Sequence, residues 1–121
     1  LYTVYAGTDD MNVSKVLDDD FAEVERIGPA VTVGKHPRAV KTSPDGKEVY
    51  VYATLDYAVQ VLTAELRKVA TISTCAPPHT AEWRRGKELF QSALQPMGSA
   101  RWIACSSCHP DGLHDGRTWQ N

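Results

Sequence analysis

Ser43-Pro44-Asp45-Gly46-Lys47-Glu48-Val49-Tyr50-Val51-Tyr52-Ala53 is a turn that runs straight into a strand, and it sets the character of the first half of the chain. Proline presets φ at the second turn position, and glycine suits the fourth, where the chain leaves into extended structure. The residues that follow are β-branched and aromatic, as a short strand requires. Leu1-Tyr-Thr-Val-Tyr-Ala6 upstream and Ala58-Val-Gln-Val-Leu62 downstream read the same way. Residues 1–74 are therefore expected to form antiparallel β structure.

This region repeats itself. Tyr5-Ala6 recurs as Tyr52-Ala53, each time followed by a polar turn and a further valine-bearing segment (11–16, then 58–62). Val31-Thr-Val-Gly34 recurs as Ala70-Thr-Ile-Ser73, each time closing a unit. A spacing of about 40 to 48 residues with several strands per unit is propeller-like. Val33-Gly34-Lys35-His36-Pro37-Arg38-Ala39-Val40, followed by Ser43-Pro-Asp-Gly46 and Val49-Tyr-Val51, resembles the YVTN-type β-propeller repeat of secreted bacterial and archaeal proteins. The resemblance covers residues 1–74. Tyr52-Ala53 stands where that family usually has Thr-Asn, and Asp18-Asp19-Asp20 through Arg26 lengthens the first unit. A blade buries its faces on its neighbours, so at least three repeats are expected together. Fewer than two full blades fit here. Either further blades or subunits lie outside this chain, or the strands form a small sheet packed on the second half.

The second half begins at Cys75-Ala-Pro-Pro-His79, where paired prolines break the strand pattern and make a stiff linker, 75–79. Thr80 is placed to cap a helix, Glu82 lies in its first turn, and 81–94 reads as helical. Trp83, Leu89, Phe90 and Leu94 share one apolar face. Pro96 ends the helix, Gly98-Ser99 is a loop, and Trp102-Ile103-Ala104 leads to Cys105-Ser106-Ser107-Cys108-His109. The expected fold is α+β: partial propeller-like β blades over 1–74, then a small, incomplete helical segment over 80–121.

Cys-x-x-Cys-His is the pattern of covalent c-type haem attachment. Two thiols three positions apart fall on one side of a helical turn, from which they can add to two vinyl groups along one haem edge. The adjoining His109 is then held under the iron as an axial ligand, and its other ring nitrogen should donate to a backbone carbonyl or similar group. A redox dithiol would need a thioredoxin-like βαβ unit, which the sequence lacks. A zinc site would need a second donor pair, and Cys75 with His79 is the available one.

Arg85-Gly86-Lys87-Glu88-Leu89-Phe90 resembles the first helix of the class I cytochrome c fold. His109-Pro-Asp-Gly-Leu-His-Asp-Gly-Arg-Thr-Trp119 is similar to the segment after the haem motif in proteins related to di-haem cytochrome c peroxidases, some of which carry a YVTN-type propeller. These resemblances, over about residues 80–121, imply haem c as cofactor and a periplasmic or extracellular location. The pattern departs from class I after the motif. Only Pro110 to Asn121 follow His109, too short for the family's closing helix and distal ligand. For the other side of the iron, an external ligand or open position ranks first, then Met97, then His79 and His114, while His36 reads as a turn residue. Arg101, Arg117 and Arg84 are candidates to pair with haem propionates, Arg84 reading rather as a surface charge. Trp102 and Trp119 are placed to wall the haem. Cys75 reads as a buried or unpaired thiol, and the aspartate run as a solvated loop rather than a calcium site.

The charge balance excludes other classes. A net charge of −2 offers no field for nucleic acid or an anionic membrane surface, and no apolar run approaches a membrane span. Three cysteines exclude a complete internal disulfide framework. The chain opens on Leu1 without a visible signal peptide, as expected of a processed protein or a piece of a longer one. The function expected is single-electron transfer to a redox partner protein. The alternatives are the haem-bearing part of a di-haem peroxidase-like oxidoreductase and a propeller-based binding module with an accessory haem.

Overall fold

Every long β-branched or aromatic run becomes a strand. The structure, a computed structural model, describes residues 1–18, 23–98 and 100–117. β1 (Tyr2–Tyr5), β2 (Asp10–Val16) and β3 (Val24–Thr32) form one antiparallel sheet in that order. β4 (Pro37–Thr42), β5 (Glu48–Ala53), β6 (Ala58–Thr63) and β7 (Lys68–Ser73) form a second. Both sheets are open meanders. Two short helices follow, α1 (Ala81–Gln91) and α2 (Cys105–Cys108), then a 3-10 turn at Pro110–Gly112. The chain is thus N-terminal antiparallel β followed by C-terminal helix.

The core lies between the sheets, and not between a sheet and the second half of the chain. Met11 and Leu62, Val49 and Val51 are almost wholly buried there, with Val33 and Leu66. Tyr2, Val4, Val13 and Val31 of the first sheet pack against them, as does Val40 of the second. Side chains alternate across a strand, so Val49 and Val51 face the core while Tyr50 and Tyr52 face the other way.

Hairpin register relates the two sheets. Tyr5 pairs with Asp10 across a four-residue loop, and Ala53 pairs with Ala58 across another. Each loop ends on a left-handed residue, Asp9 (φ 61°) or Tyr57 (φ 53°). The carbonyl of each then accepts from the third strand's exit, from Val33 N at 3.0 Å and from Thr74 N at 2.8 Å. β1–β2 therefore corresponds to β5–β6 with an offset of 48 residues, Tyr5 onto Ala53 and Asp9 onto Tyr57. On the third strand Val33 answers to Thr74, an offset of 41, because the β2–β3 connection carries the insert. The Tyr-Ala recurrence is one residue out of this register, and the pairing of Val31 with Ala70 is two residues out. Asp19 and Asp20 lie outside the described residues.

The β3–β4 connection is pinned by both hairpins. Lys35 N donates to Asp56 Oδ2 at 2.9 Å, and His36 N donates to Asp9 Oδ1 at 2.8 Å. Gly34 makes this approach possible: at φ 106° a side chain is strained, and a Cβ would stand 2.7 Å from Asp56 Oδ2.

α1 begins as expected, with Trp83 N donating to Thr80 Oγ1 at 3.3 Å. It ends at Gln91, three residues before the expected Leu94. Ser92 turns extended, and Ala93 N leaves the helix ladder to donate to Gly7 O at 2.8 Å. That bond and the Lys35–Glu88 ion pair at 2.9 Å tie α1 to the loop end of the sheets. Burial pushes the Glu88 carboxyl up, but Lys35 and Arg85 outweigh it and hold the group below its ordinary range. No helix among the described residues is long and apolar enough to cross a membrane.

Candidate functional site

The motif occupies one helical turn. Ser107 N donates to Ala104 O and His109 N to Cys105 O, both at 3.0 Å, which closes α2 around its two cysteines. Cys105 and Cys108, three positions apart, share a side of that turn. Both thiols are free, Cys105 exposed and Cys108 half-buried. His109 leaves the helix at φ −119°, ψ 62°, and the 3-10 turn then folds the chain back. As a result His109 Nδ1 lies 2.8 Å from the carbonyl oxygen of Leu113. A carbonyl oxygen only accepts, so Nδ1 carries a proton, and in the neutral ring Nε2 is the nitrogen with the lone pair. Asp115 N donates to Cys108 O at 3.0 Å and holds the return segment against the turn.

The surroundings are apolar and uncovered. Trp102 is 84% exposed, Leu113 71% and Ile103 51%. Among the described residues of 80–117, the buried hydrophobic side chains are those of Ala93 and Ala104, and neither helix buries any residue. Trp83 is exposed, and Leu89 and Phe90 are half-buried. The apolar face read from the helical spacing is present, but little covers it.

The other candidates are dispersed. Met97 is exposed and lines a groove with Gly98, Ala100, Trp102 and Ile103. His114 stands edge-on to His109, ring centroids 5.9 Å apart, and its Nδ1 accepts from Gly116 N at 2.8 Å. His79 stacks on Trp83 at 3.8 Å. Arg101 turns away to Asp10, 3.6 Å distant on the first sheet. Arg117 is exposed, and its backbone N–H donates to Asp115. Cys75, read as a buried or unpaired thiol, is unpaired and exposed. The linker residues around it, Thr74 to His79, are all exposed, so nothing covers it. Trp119 lies outside the described residues. No group of three or more His, Cys, Asp or Glu side chains converges among the described residues, so Cys75 and His79 do not complete a zinc set with the motif.

His36, read as a turn residue, is more than that. It is 8% exposed, adopts φ 53°, and its Nδ1 is buried without a partner. Burial lowers its pKa, and the nearby charges of Arg38 and Lys87 lower it further. It lines two adjoining clefts, of about 550 and 560 Å³, between the sheets and the C-terminal helices. Arg38, Gln91 and Ser106 also line both. The motif thus presents its serines to the β sheets, while neither cysteine nor His109 lines either of these two clefts. No sequence signal marked Arg38, Lys87 or Gln91, since Arg38 stands on β4 and the other two on α1.

A scan against protein-family models, a search of curated proteins and a search of solved structures each found no match to this chain.

Proposed function

We propose that this chain is a c-type haem protein that passes single electrons, with the haem joined to Cys105 and Cys108 and ligated by His109. The observation that carries the reading is the 2.8 Å contact between His109 Nδ1 and the Leu113 carbonyl, beside two free thiols on one turn. It leaves Nε2 as the ligating nitrogen, and a hydrogen-bonded Nδ1 both fixes the ring and raises its basicity. The uncovered apolar side chains add support: Trp102, Ile103 and Leu113 are the kind of surface a porphyrin would cover. The donor set and its setting therefore fit the group.

Haem c supplies a one-electron iron couple that stays attached in both oxidation states. The chain's own contribution is positional. α2 holds the two sulfurs on one side, the Leu113 carbonyl orients the imidazole, and Met97, Trp102 and Ile103 would shield one flank of a bound haem from water. Arg101 is engaged with Asp10, so Arg117 is the better of the two candidates for a propionate. A redox partner protein and a periplasmic or extracellular location belong to the same proposal.

A second reading is the haem-bearing part of a di-haem peroxidase-like oxidoreductase. It draws on His114 being the one described ring set against His109, with its Nδ1 already used by Gly116. That arrangement favours an iron whose other face takes an external ligand. The optical spectrum separates the two. A low-spin, six-coordinate reduced form is expected for electron transfer, whereas a high-spin ferric form that reacts with peroxide would replace that reading with the second.

The sheets are proposed to be two successive propeller-type blades, the first lacking its opening strand. The support is the 48-residue correspondence between hairpins. Under it, Tyr2, Val4, Met11 and Val13 on the core face of the first sheet answer to Tyr50, Tyr52, Val59 and Val61 on the outer face of the second. Further blades or subunits would cover that outer face.

A further inference from the structure

We propose that this chain pairs with a second copy of itself through the outer face of the second sheet, about a two-fold axis running along the strands. The register puts Ala39, Tyr52, Val59 and Ile72 in one row across that face, and Lys41, Tyr50, Val61 and Ala70 in the next. Ile72 is 54% exposed, Ala39 and Ala70 are exposed, and Tyr50, Tyr52 and Val59 are half-buried. Lys41, Glu48 and Thr63 lie toward one end, so the apolar middle has a polar rim, as contact surfaces do. The Tyr50 hydroxyl already donates to Glu48, so it can be covered without losing a partner. This face belongs to the β part, which has its own core, and none of the two rows lines a cleft against the C-terminal helices.

The two outer faces of the β part differ. That of the first sheet carries Thr3, Asp10, Asn12, Ser14 and Arg26. By the 48-residue correspondence, Thr3, Asp10 and Ser14 stand where the covered face of the second sheet has Val51, Ala58 and Leu62. A polar face of this kind ends a stack of repeats. The outer face of the second sheet is the opposite case. Its Tyr50, Tyr52, Val59 and Val61 answer to residues that a neighbouring sheet covers in the first repeat. A sheet is therefore what this face is built to meet. A head-to-tail copy, or a closed ring of blades, would have to cover the polar face as well. A two-fold copy brings the same apolar face instead and closes a stack of four sheets, polar at both ends.

The face is also complementary to itself. Rotation about an axis between β5 and β6 sets β5 on the other copy's β6, and β4 on its β7. Tyr52 and Tyr50 then fall on the other copy's Val59 and Val61, and Ala39 falls on its Ile72. Large side chains meet small ones along both rows, which lets the two faces interdigitate.

Sedimentation equilibrium of the folded protein, from micromolar to millimolar concentration, should show a reversible monomer–dimer equilibrium. Ile72→Lys, at an exposed position, should keep the β circular dichroism and raise the dissociation constant about tenfold or more by burying an unpaired charge. Ala39→Ile should weaken pairing by overfilling its row, and Ile72→Ala added to it should restore pairing. Ala39 and Ile72 of one chain stand three strand spacings apart, about 14 Å, so that rescue can arise only between copies. Thr3→Lys, on the first sheet's outer face, should leave pairing unchanged. A monomer throughout, a dimer indifferent to Ile72→Lys, or a double variant no tighter than Ala39→Ile would overturn the proposal. It rests on the reading of the sheets as successive blades and not on haem. A dimer broken by Thr3→Lys and not by Ile72→Lys would overturn that reading too, whereas a monomer overturns the pairing alone.

Discussion

The two ends of this chain solve the same problem differently. Residues 1–74 bury Met11, Val49, Val51 and Leu62 between two sheets, so the β part makes its own core. Residues 80–117 carry Trp83, Phe90, Trp102, Ile103 and Leu113, yet among the described residues bury hydrophobic side chains only at Ala93 and Ala104. Large apolar side chains make a core in one case and an uncovered surface in the other. Burial is the main favourable term in folding, so the second region needs something to fold around. A large apolar disc fixed to its central turn would be that thing.

The largest expected effect comes from removing the attachment. Cys105→Ala with Cys108→Ala should abolish bound haem and take most of the helical circular dichroism with it, leaving the β signal. An unchanged helical signal would show that α1 and α2 stand without the cofactor, and the contrast between the regions would fail. The converse variant is Leu62→Ala. Emptying that buried position should destabilise the β part by about 2–5 kcal/mol, measured by denaturant unfolding, with the haem spectrum of the folded protein unaltered. A spectrum that changes with the β core would mean the two regions fold as one.

His36 tests the seam between them by pH. Its pKa is lowered in the folded protein, by burial first and then by Arg38. The unfolded state therefore binds the proton at a higher pH than the folded one does, and stability falls as pH drops below about 6.5 through the depressed folded value. His36→Gln should flatten that acid-side loss while leaving stability above pH 7 comparatively unaffected. A profile unchanged by the substitution would contradict the burial of a neutral imidazole there. The smallest effect is expected at Thr80→Ala, which removes the side-chain acceptor for Trp83 N and should cost about 1 kcal/mol, read from the thermal midpoint of the helical signal.

Much of this contrast was visible in the sequence. Strands β1, β2, β5 and β6 follow from β-branched residues between turns, the Thr80 cap from its hydroxyl, and the single-turn geometry from the three-residue cysteine spacing. The register of the repeat was not visible. Matching Tyr5-Ala6 to Tyr52-Ala53 is off by one residue, and in a sheet a slip of one exchanges the faces. Register is set by the hairpin loops and their left-handed residues, Asp9 and Tyr57, which a two-residue identity does not report. The end of α1 was also missed, because Ala93 is drawn off by the carbonyl of Gly7, a partner 86 positions away in the chain. The cleft residues were missed for the same reason. Arg38, Lys87 and Gln91 acquire meaning only when β4 and α1 are brought together.

Intact mass of the denatured protein, isolated from cells able to mature c-type cytochromes, tests the central proposal most directly. A chain heavier by one haem, returning to the bare mass in Cys105→Ala/Cys108→Ala, is the predicted result. A bare mass in the unmodified protein from the same cells would contradict it.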